Sequence, residues 1–336
     1  MNRPLGTVAV LASGLVLAAC GSDSSDGTQA GADPADATGT AVVATTSVLG
    51  DVVALVAECG GGTSTTLMPI GADPHDFSPS SDEVARMVNA DLVVANGLNL
   101  EEGLADALSS AAADGAAVLE VAEMVDPLPF GMGGADHGHS DEDGHEDGDD
   151  HGDEVHDHGS LDPHFWHDAA RMALAAELIG AELADTTGDD GYVVCGTQVA
   201  DELRQTDAEV RDILSVVPDD RRVMVTDHEA FGYFAEAYDF EIAGVVIPGG
   251  ATLAEPSSRE LAALVEVIID EGVPAVFANT EAPSTLTDAV AAEAGAQVAV
   301  VELHVGSLGG PGSGAETYDT MMTTNAQRIA DALAPA

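Results

Sequence analysis

From residue 40 onward, short apolar runs alternate with stretches of helical period, and the whole alternation occurs twice. TAVVATT (40–46) has the continuous apolar centre of a buried strand, and residues 48–58 repeat apolar positions at helical spacing. TSTTLMP (63–69) is the next strand; SSDEVARMVNA (80–90) follows as a helix with Ser80 or Ser81 as its cap. DLVVANG (91–97) is a strand, EEGLADALSSAA (101–112) a helix and AAVLEV (116–121) a strand. An acidic, His-rich stretch then interrupts the pattern. Beyond it, residues 168–185 are amphipathic and helical, and a long charged helix ends before Pro218.

The rhythm restarts with RRVMVTD (221–227) as a strand and HEAFGYFAEAY (228–238) as a helix. EIAGVVIPG (241–249), SSRELAALVEVIIDEG (257–272) and VPAVFANT (273–280) read as strand, helix and strand. A helix at 285–294, the strand QVAVVEL (297–303) and a closing helix at 317–333 complete it. Strand–helix alternation of this kind predicts parallel sheets covered by helices, here as two α/β lobes joined by one long helix. Ligands of open α/β sheets bind beyond the carboxyl ends of the strands, which in a two-lobed protein is the cleft.

The boundaries follow from the pattern. Residues 1–19 form a signal peptide, 20–40 a tether, 41–188 the first lobe, 189–217 the linker helix and 218–336 the second lobe. Arg3 precedes the apolar run VAVLASGLVLAAC, too short to span a bilayer and suited to a secretory signal. Leu17-Ala18-Ala19-Cys20 resembles a bacterial lipobox, which makes Cys20 the lipidated residue and places the protein outside the cytoplasm on a membrane. The Gly-rich polar stretch after it is a tether. Cys59 and Cys195 remain; in an oxidising compartment an even pair points to one disulfide, the alternative being two buried thiols.

Charge sharpens the picture. The 336 residues hold 60 Asp or Glu against nine Arg and no Lys, a formal net charge of -51. Such a field repels nucleic acid and anionic lipid headgroups and attracts small cations. The pattern-breaking stretch, 136–159, has six His, eleven Asp or Glu and five Gly among its 24 residues, and reads as a disordered accessory metal loop. Its histidines are His137, His139, His145, His151, His156 and His158.

Five histidines stand apart from this loop: His75, His164, His167, His228 and His304. His75 (GADPHDF), His164 (LDPHFWHD) and His228 (VTDHEAF) fall just past strands or in the loops before helices, where a cleft ligand belongs. Three neutral imidazoles make a nitrogen donor set suited to Zn(II). Asp73 and Asp76 near His75, Asp162 near His164 and Asp227 beside His228 are placed to fix imidazole tautomers or, for the last two, to cap the next helices. His167 is read as a surface residue or one behind the site.

The segments LMPIGADPHDFSPSSDEV, LDPHFWHDAARMA, VTDHEAFGYFAEAY and TYDTMMTTNAQRIADAL resemble solute-binding proteins of zinc and manganese ABC transporters, the ZnuA/TroA-like, cluster A-I family. The resemblance covers residue 41 to the end. It implies two (βα) lobes with parallel sheets, a long rigid linker helix and a metal in the interlobe cleft. By the same resemblance the first ligand falls on His75, the second on His164, and the third on His228, where manganese-selective members tend to place a carboxylate. Many members carry an Asp just before a Ser-Leu pair; here that place is Gly306. An open or water-filled fourth position is therefore expected, with His304 next; Glu302 shares its face by strand alternation.

The expected function is an extracytoplasmic receptor that captures Zn(II) and delivers it to an ABC-type permease with its cytoplasmic ATPase, as a lipid-anchored monomer and not an enzyme. The alternatives are a Mn(II) or Fe(II) receptor, a surface adhesin or passive metal buffer built on the loop, and a zinc hydrolase using Glu229 or Asp76 as base. Against the hydrolase, the chain has no HExxH pair.

Overall fold

The computed structural model of the protein describes residues 40–131, 161–249, 252 and 256–335. The signal peptide with Cys20 and the six loop histidines lie outside the described residues. Among the described residues, no helix is long and apolar enough to cross a membrane.

The first half builds a four-stranded sheet from β1 (Ala41–Ala44), β2 (Thr63–Thr66), β3 (Leu92–Ala95) and β4 (Ala117–Glu120), in the order β2-β1-β3-β4. Helices α1 (Ser47–Cys59), α2 (Ser81–Val88) and α3 (Ala105–Asp114) connect them. The second half repeats the arrangement: β5 (Val223–His228), β6 (Glu241–Ile247), β7 (Ala275–Asn279) and β8 (Ala299–Leu303) run β6-β5-β7-β8. All pairings in both sheets are parallel. Buried Leu92, Val93, Val94 and Ala95 explain the unbroken apolar run of β3, which is covered on both faces.

Helix ends follow local chemistry. Ser80 caps α2 through a capping box with Glu83, as its position before the periodic stretch predicts. Ser257 and Glu260 do the same for α7 (Ser258–Glu271). The predicted helix at 228–238 starts later, because His228 is still the last residue of β5 and α6 spans Gly232–Tyr238. The His228 carbonyl accepts from both the Thr226 hydroxyl and the Ala230 N–H, a local turn that delays the helix. α8 (Thr285–Ala294) and α9 (Tyr318–Leu333) complete the second lobe.

Two long helices stand between the sheets in sequence: α4 (Ala169–Thr187) and α5 (Gly191–Leu214), the latter about 36 Å long at helical rise. They cross where Gly180 faces Gly196. A Cβ on Gly180 would lie 2.6 Å from the Tyr192 carbonyl, and one on Gly196 2.6 Å from that of Ala176, so this approach requires glycine on both helices. α5 also packs against α1 and α9. Cys59, the last residue of α1, is disulfide-bonded to Cys195 of α5 with 5.8 Å between Cα atoms. The alternative of two unpaired thiols is thereby resolved.

Candidate metal centre

The switch point of each sheet, where neighbouring connections leave in opposite directions, opens a crevice at the strand carboxyl ends. Side chains from both halves meet there. His75 comes from the loop after β2, His164 from the segment before α4, and His228 from the end of β5. Their ligand-capable nitrogens all lie within 4.8 Å of one another. The ring centroids form a nearly equilateral triangle, 5.3 Å from His75 to His164, 5.8 Å from His75 to His228 and 5.5 Å from His164 to His228.

The spacing suits one ion. Zn–N bonds of about 2.0–2.1 Å in a tetrahedron separate ligand nitrogens by about 3.3 Å. The Nε2 atoms of His75 and His164 stand 3.2 Å apart. His164 and His228 are buried and His75 half-buried, so the site opens to solvent on the His75 side.

Carboxylates set the rings. One oxygen of Asp162 lies 2.7 Å from His164 Nδ1 and accepts the His164 backbone N–H at 2.9 Å. Asp227 Oδ1 lies 3.1 Å from His228 Nδ1. A carboxylate at Nδ1 keeps the proton there and leaves the Nε2 lone pair for a metal. Asp73 accepts the His75 backbone N–H at 2.9 Å and the Thr252 hydroxyl at 2.6 Å, while Asp76 is exposed. Of the two roles open to Asp162 and Asp227, tautomer fixing is the one formed; the α4 cap is Asp168, which accepts from Ala170 N and Arg171 N.

Burial and neighbouring charges tune the group. Burial, helped by the charge of His228, holds His164 well below the ordinary imidazole range. Burial pushes His228 down as well, but the carboxylate of Asp227 and then those of Asp73 and Asp162 outweigh it, and its proton affinity is raised. Asp162 is pushed up to about 7, chiefly by burial, against the His164 N–H and the His228 charge.

The remaining candidates lie elsewhere. His304 is buried, with Nδ1 3.2 Å from the Thr280 hydroxyl, and is not part of the triad cluster. Glu302 is exposed: β8 ends at Leu303, so strand alternation does not carry through to His304. His167 is not on the surface; it is 1% exposed, and its ring stacks on Phe231 at 4.6 Å. Gly306 packs against the ring of Pro74, and a Cβ there would lie 2.7 Å from Pro74 Cδ.

Several residues that bind the two halves together carry no sequence signal of their own. Ser47 and Ser307 meet hydroxyl to hydroxyl at 3.0 Å, and Ser307 Oγ accepts Gly71 N–H at 2.7 Å. The Trp166 indole donates to the Val305 carbonyl at 2.8 Å, and the Tyr318 hydroxyl donates to the Trp166 carbonyl at 2.7 Å. A serine at a helix start or in a loop, or an aromatic beside a helix start, reads as ordinary, so only the fold exposes these contacts.

Comparison with known proteins agrees with this architecture. The manganese-binding lipoprotein MntA of Halalkalibacterium halodurans is 26% identical over 336 residues, spanning 99% of both chains. The zinc-binding protein TroA of Treponema pallidum is 29% identical over 299 residues, 87% of this chain and 88% of its own. The solved structure of periplasmic zinc-binding TroA from Treponema pallidum superposes with a TM-score of 0.74 at 27% identity, covering 88% of this chain and 100% of that one. A Mn-bound periplasmic metal-binding protein from candidatus Liberibacter asiaticus, at 20% identity and a TM-score of 0.70 over 88% of this chain and 99% of that one, shares the fold. The ZnuA family model, described as the periplasmic component A of the zinc-uptake complex, matches residues 42–332. On that match the chain belongs to the ZnuA family of metal-binding solute-binding proteins of ABC transporters.

Proposed function

We propose that this protein captures Zn(II) outside the cytoplasm and hands it to an ABC-type permease driven by a cytoplasmic ATPase. The observation that carries the reading is the donor set: three imidazoles whose ligand nitrogens lie within 4.8 Å of one another, two of them backed by carboxylates at Nδ1. Neutral nitrogen donors favour Zn(II), whereas Mn(II) favours carboxylate and water. His75, His164 and His228 are the ligands, and a water completes the shell, since Gly306 has no side chain to offer. The two buried carboxylates behind the rings offset the charge of the ion without occupying its coordination sphere.

The relatives include proteins named for manganese as well as zinc, so Mn(II) is the competing cargo. Here the third position is an imidazole, His228, which tells against it. Delivery rather than turnover is the role: the site lies between two lobes and lacks a helix-borne ligand pair with a base. Lipidation at Cys20 would keep the monomer at the membrane beside its permease, and the His-rich stretch 136–159 would concentrate Zn(II) near the cleft as an accessory.

The test is a titration of metal-free protein with Zn(II) in competition with a chelator, repeated with Mn(II) and Fe(II), on the full chain and on a variant lacking 136–159. One tight site preferring Zn(II), retained without that stretch and lost in His75→Ala, His164→Ala and His228→Ala, is the expected result. Tighter Mn(II) binding would reassign the cargo. Loss of all binding with the 136–159 stretch would make the protein a buffer.

A further inference from the structure

His164 is held by a segment that both lobes grip. On the first-lobe side, Asn96, wholly buried past the end of β3, donates from Nδ2 to the Pro163 carbonyl at 3.0 Å. Asn96 is itself fixed by Glu101, which accepts the Asn96 N–H at 2.8 Å and the Thr45 hydroxyl at 2.6 Å. On the other side the grip comes from Tyr233 of α6, a helix of the second lobe.

The Tyr233 contact has an unusual form. Leu128 and Asp162 face each other beside the antiparallel bridge between Pro129 and Leu161. Two such residues normally exchange two backbone hydrogen bonds. Here the Asp162 N–H donates directly to the Leu128 carbonyl at 2.7 Å. The return bond runs through the Tyr233 hydroxyl, which accepts from Leu128 N at 3.0 Å and donates to the Asp162 carbonyl at 2.7 Å. A side chain of one lobe therefore completes a backbone pair of the other. The same residue, Asp162, holds the His164 ring and N–H through its carboxylate.

The surroundings leave Tyr233 little freedom. It is fully buried, and the Arg171 guanidinium lies 4.9 Å from its ring centroid. Arg171 in turn bonds Asp168 at 2.7 Å on its own side and Glu236 of α6 at 2.8 Å. Gly232 lets the start of α6 come close, since a Cβ there would stand 2.8 Å from the second Asp162 oxygen. α6 begins four residues after His228, so one short unit of the second lobe carries both His228 and Tyr233.

We propose that Tyr233 is an interlobe positioning residue for the metal site: its hydroxyl sets the Asp162–His164 segment, so that His164 is aligned for capture by the docking of the second lobe. The proposal rests on the zinc-capture reading above. Phenylalanine at this position keeps the ring, its packing and the contact with Arg171, and removes only the bridging hydroxyl. It leaves the buried Leu128 N–H unpaired and frees the Asp162 carbonyl.

The experiment compares wild type, Tyr233→Phe and, as a control from the far end of α6, Tyr238→Phe. Zn(II) dissociation constants are measured by chelator competition, the d–d absorption of the Co(II)-loaded protein reports ligand geometry, and melting of the metal-free protein reports stability. Tyr233→Phe should weaken Zn(II) binding on the order of tenfold and alter the intensity of the Co(II) bands. Tyr238→Phe should keep wild-type affinity within about twofold and the wild-type bands. Wild-type affinity and spectrum in Tyr233→Phe, whatever its melting point, overturn the positioning role while leaving zinc capture standing. A wild-type protein without a Zn(II) site overturns both.

Discussion

A single carboxylate oxygen of Asp162 receives both the Nδ1 proton and the backbone N–H of His164, at 2.7 and 2.9 Å. Ring and main chain are thus pinned by one atom, and the imidazole has no freedom to present Nδ1 to the metal. Asp162→Asn preserves the shape but replaces a charged acceptor with an amide whose NH₂ face competes for the same position. Zn(II) affinity should fall by about 10- to 100-fold, the usual effect of removing a carboxylate behind a metal-bound histidine. Chelator competition on folded variant protein checks this; an unchanged dissociation constant would show that the contact orients nothing.

At the proposed centre metal and proton compete for the same rings, and the proton affinity differs between them. His228 has a raised proton affinity, because Asp227, Asp73 and Asp162 outweigh its burial, so in metal-free protein it begins to take a proton above its ordinary value of 6.5. His164, kept neutral mainly by burial, takes none until well below 6.5. Asp162, at about 7, also gives up a proton when a cation favours its ionised form. Apparent Zn(II) affinity should therefore fall as pH drops from 7.5 to 6, with about one to two protons displaced per metal. Titrations across this range in weakly coordinating buffers measure the slope; a flat profile would show that the metal displaces no proton from His228 or Asp162.

The limits of sequence reading in this chain are physical. Strand periodicity and the Gly/Pro loops around DPH placed His75 just past a strand and His164 in the loop before a helix, and three imidazoles at such positions are costly to explain as packing. The two parallel-sheet lobes were legible because parallel strands buried on both faces read as continuous apolar runs, as in LVVA. Pleat alternation failed at His304 because it holds only inside a strand, and β8 stops one residue earlier. Tyr233 and Asn96 were invisible for a different reason: their partners are backbone carbonyls 71 and 67 residues away, and such contacts leave no local pattern.

The disulfide is placed to act on stability rather than on the metal. Cys59 and Cys195 are 136 residues apart and belong to α1 and α5, not to the segments that carry the histidines. Closing so long a loop restricts the unfolded chain, and its loss typically costs about 2–5 kcal/mol. The double variant Cys59→Ser with Cys195→Ser, which leaves neither thiol unpaired, should melt at a lower temperature in the metal-free state and bind Zn(II) within about twofold of wild type. Calorimetric melting and the same competition titration decide it. A large loss of affinity would mean that the α1–α5 tie also sets the cleft.

The final prediction concerns the missing carboxylate. In many members of the family an Asp stands at the place of Gly306, and restoring it invites the idea that Gly306→Asp would complete the shell and tighten binding. The packing argues the opposite. A Cβ at 306 would lie 2.7 Å from Cδ and 3.2 Å from Cγ of Pro74, closer than carbon atoms tolerate. Pro74 cannot rotate away, because its ring is part of the backbone, and it directly precedes His75. The neighbouring 305–306 backbone has little room to yield, as both N–H groups donate to Glu281 at 3.3 and 3.2 Å. Relief must come from the His75 loop, and a shift there pulls its imidazole off the triad that His164 and His228 define. Gly306→Asp should therefore weaken Zn(II) binding severalfold, whereas Gly306→Asp combined with Pro74→Ala, which removes the obstructing ring, should recover it. Tighter binding in the single variant would show that the cleft opens at Pro74 without cost, and that the fourth position was lacking only a ligand.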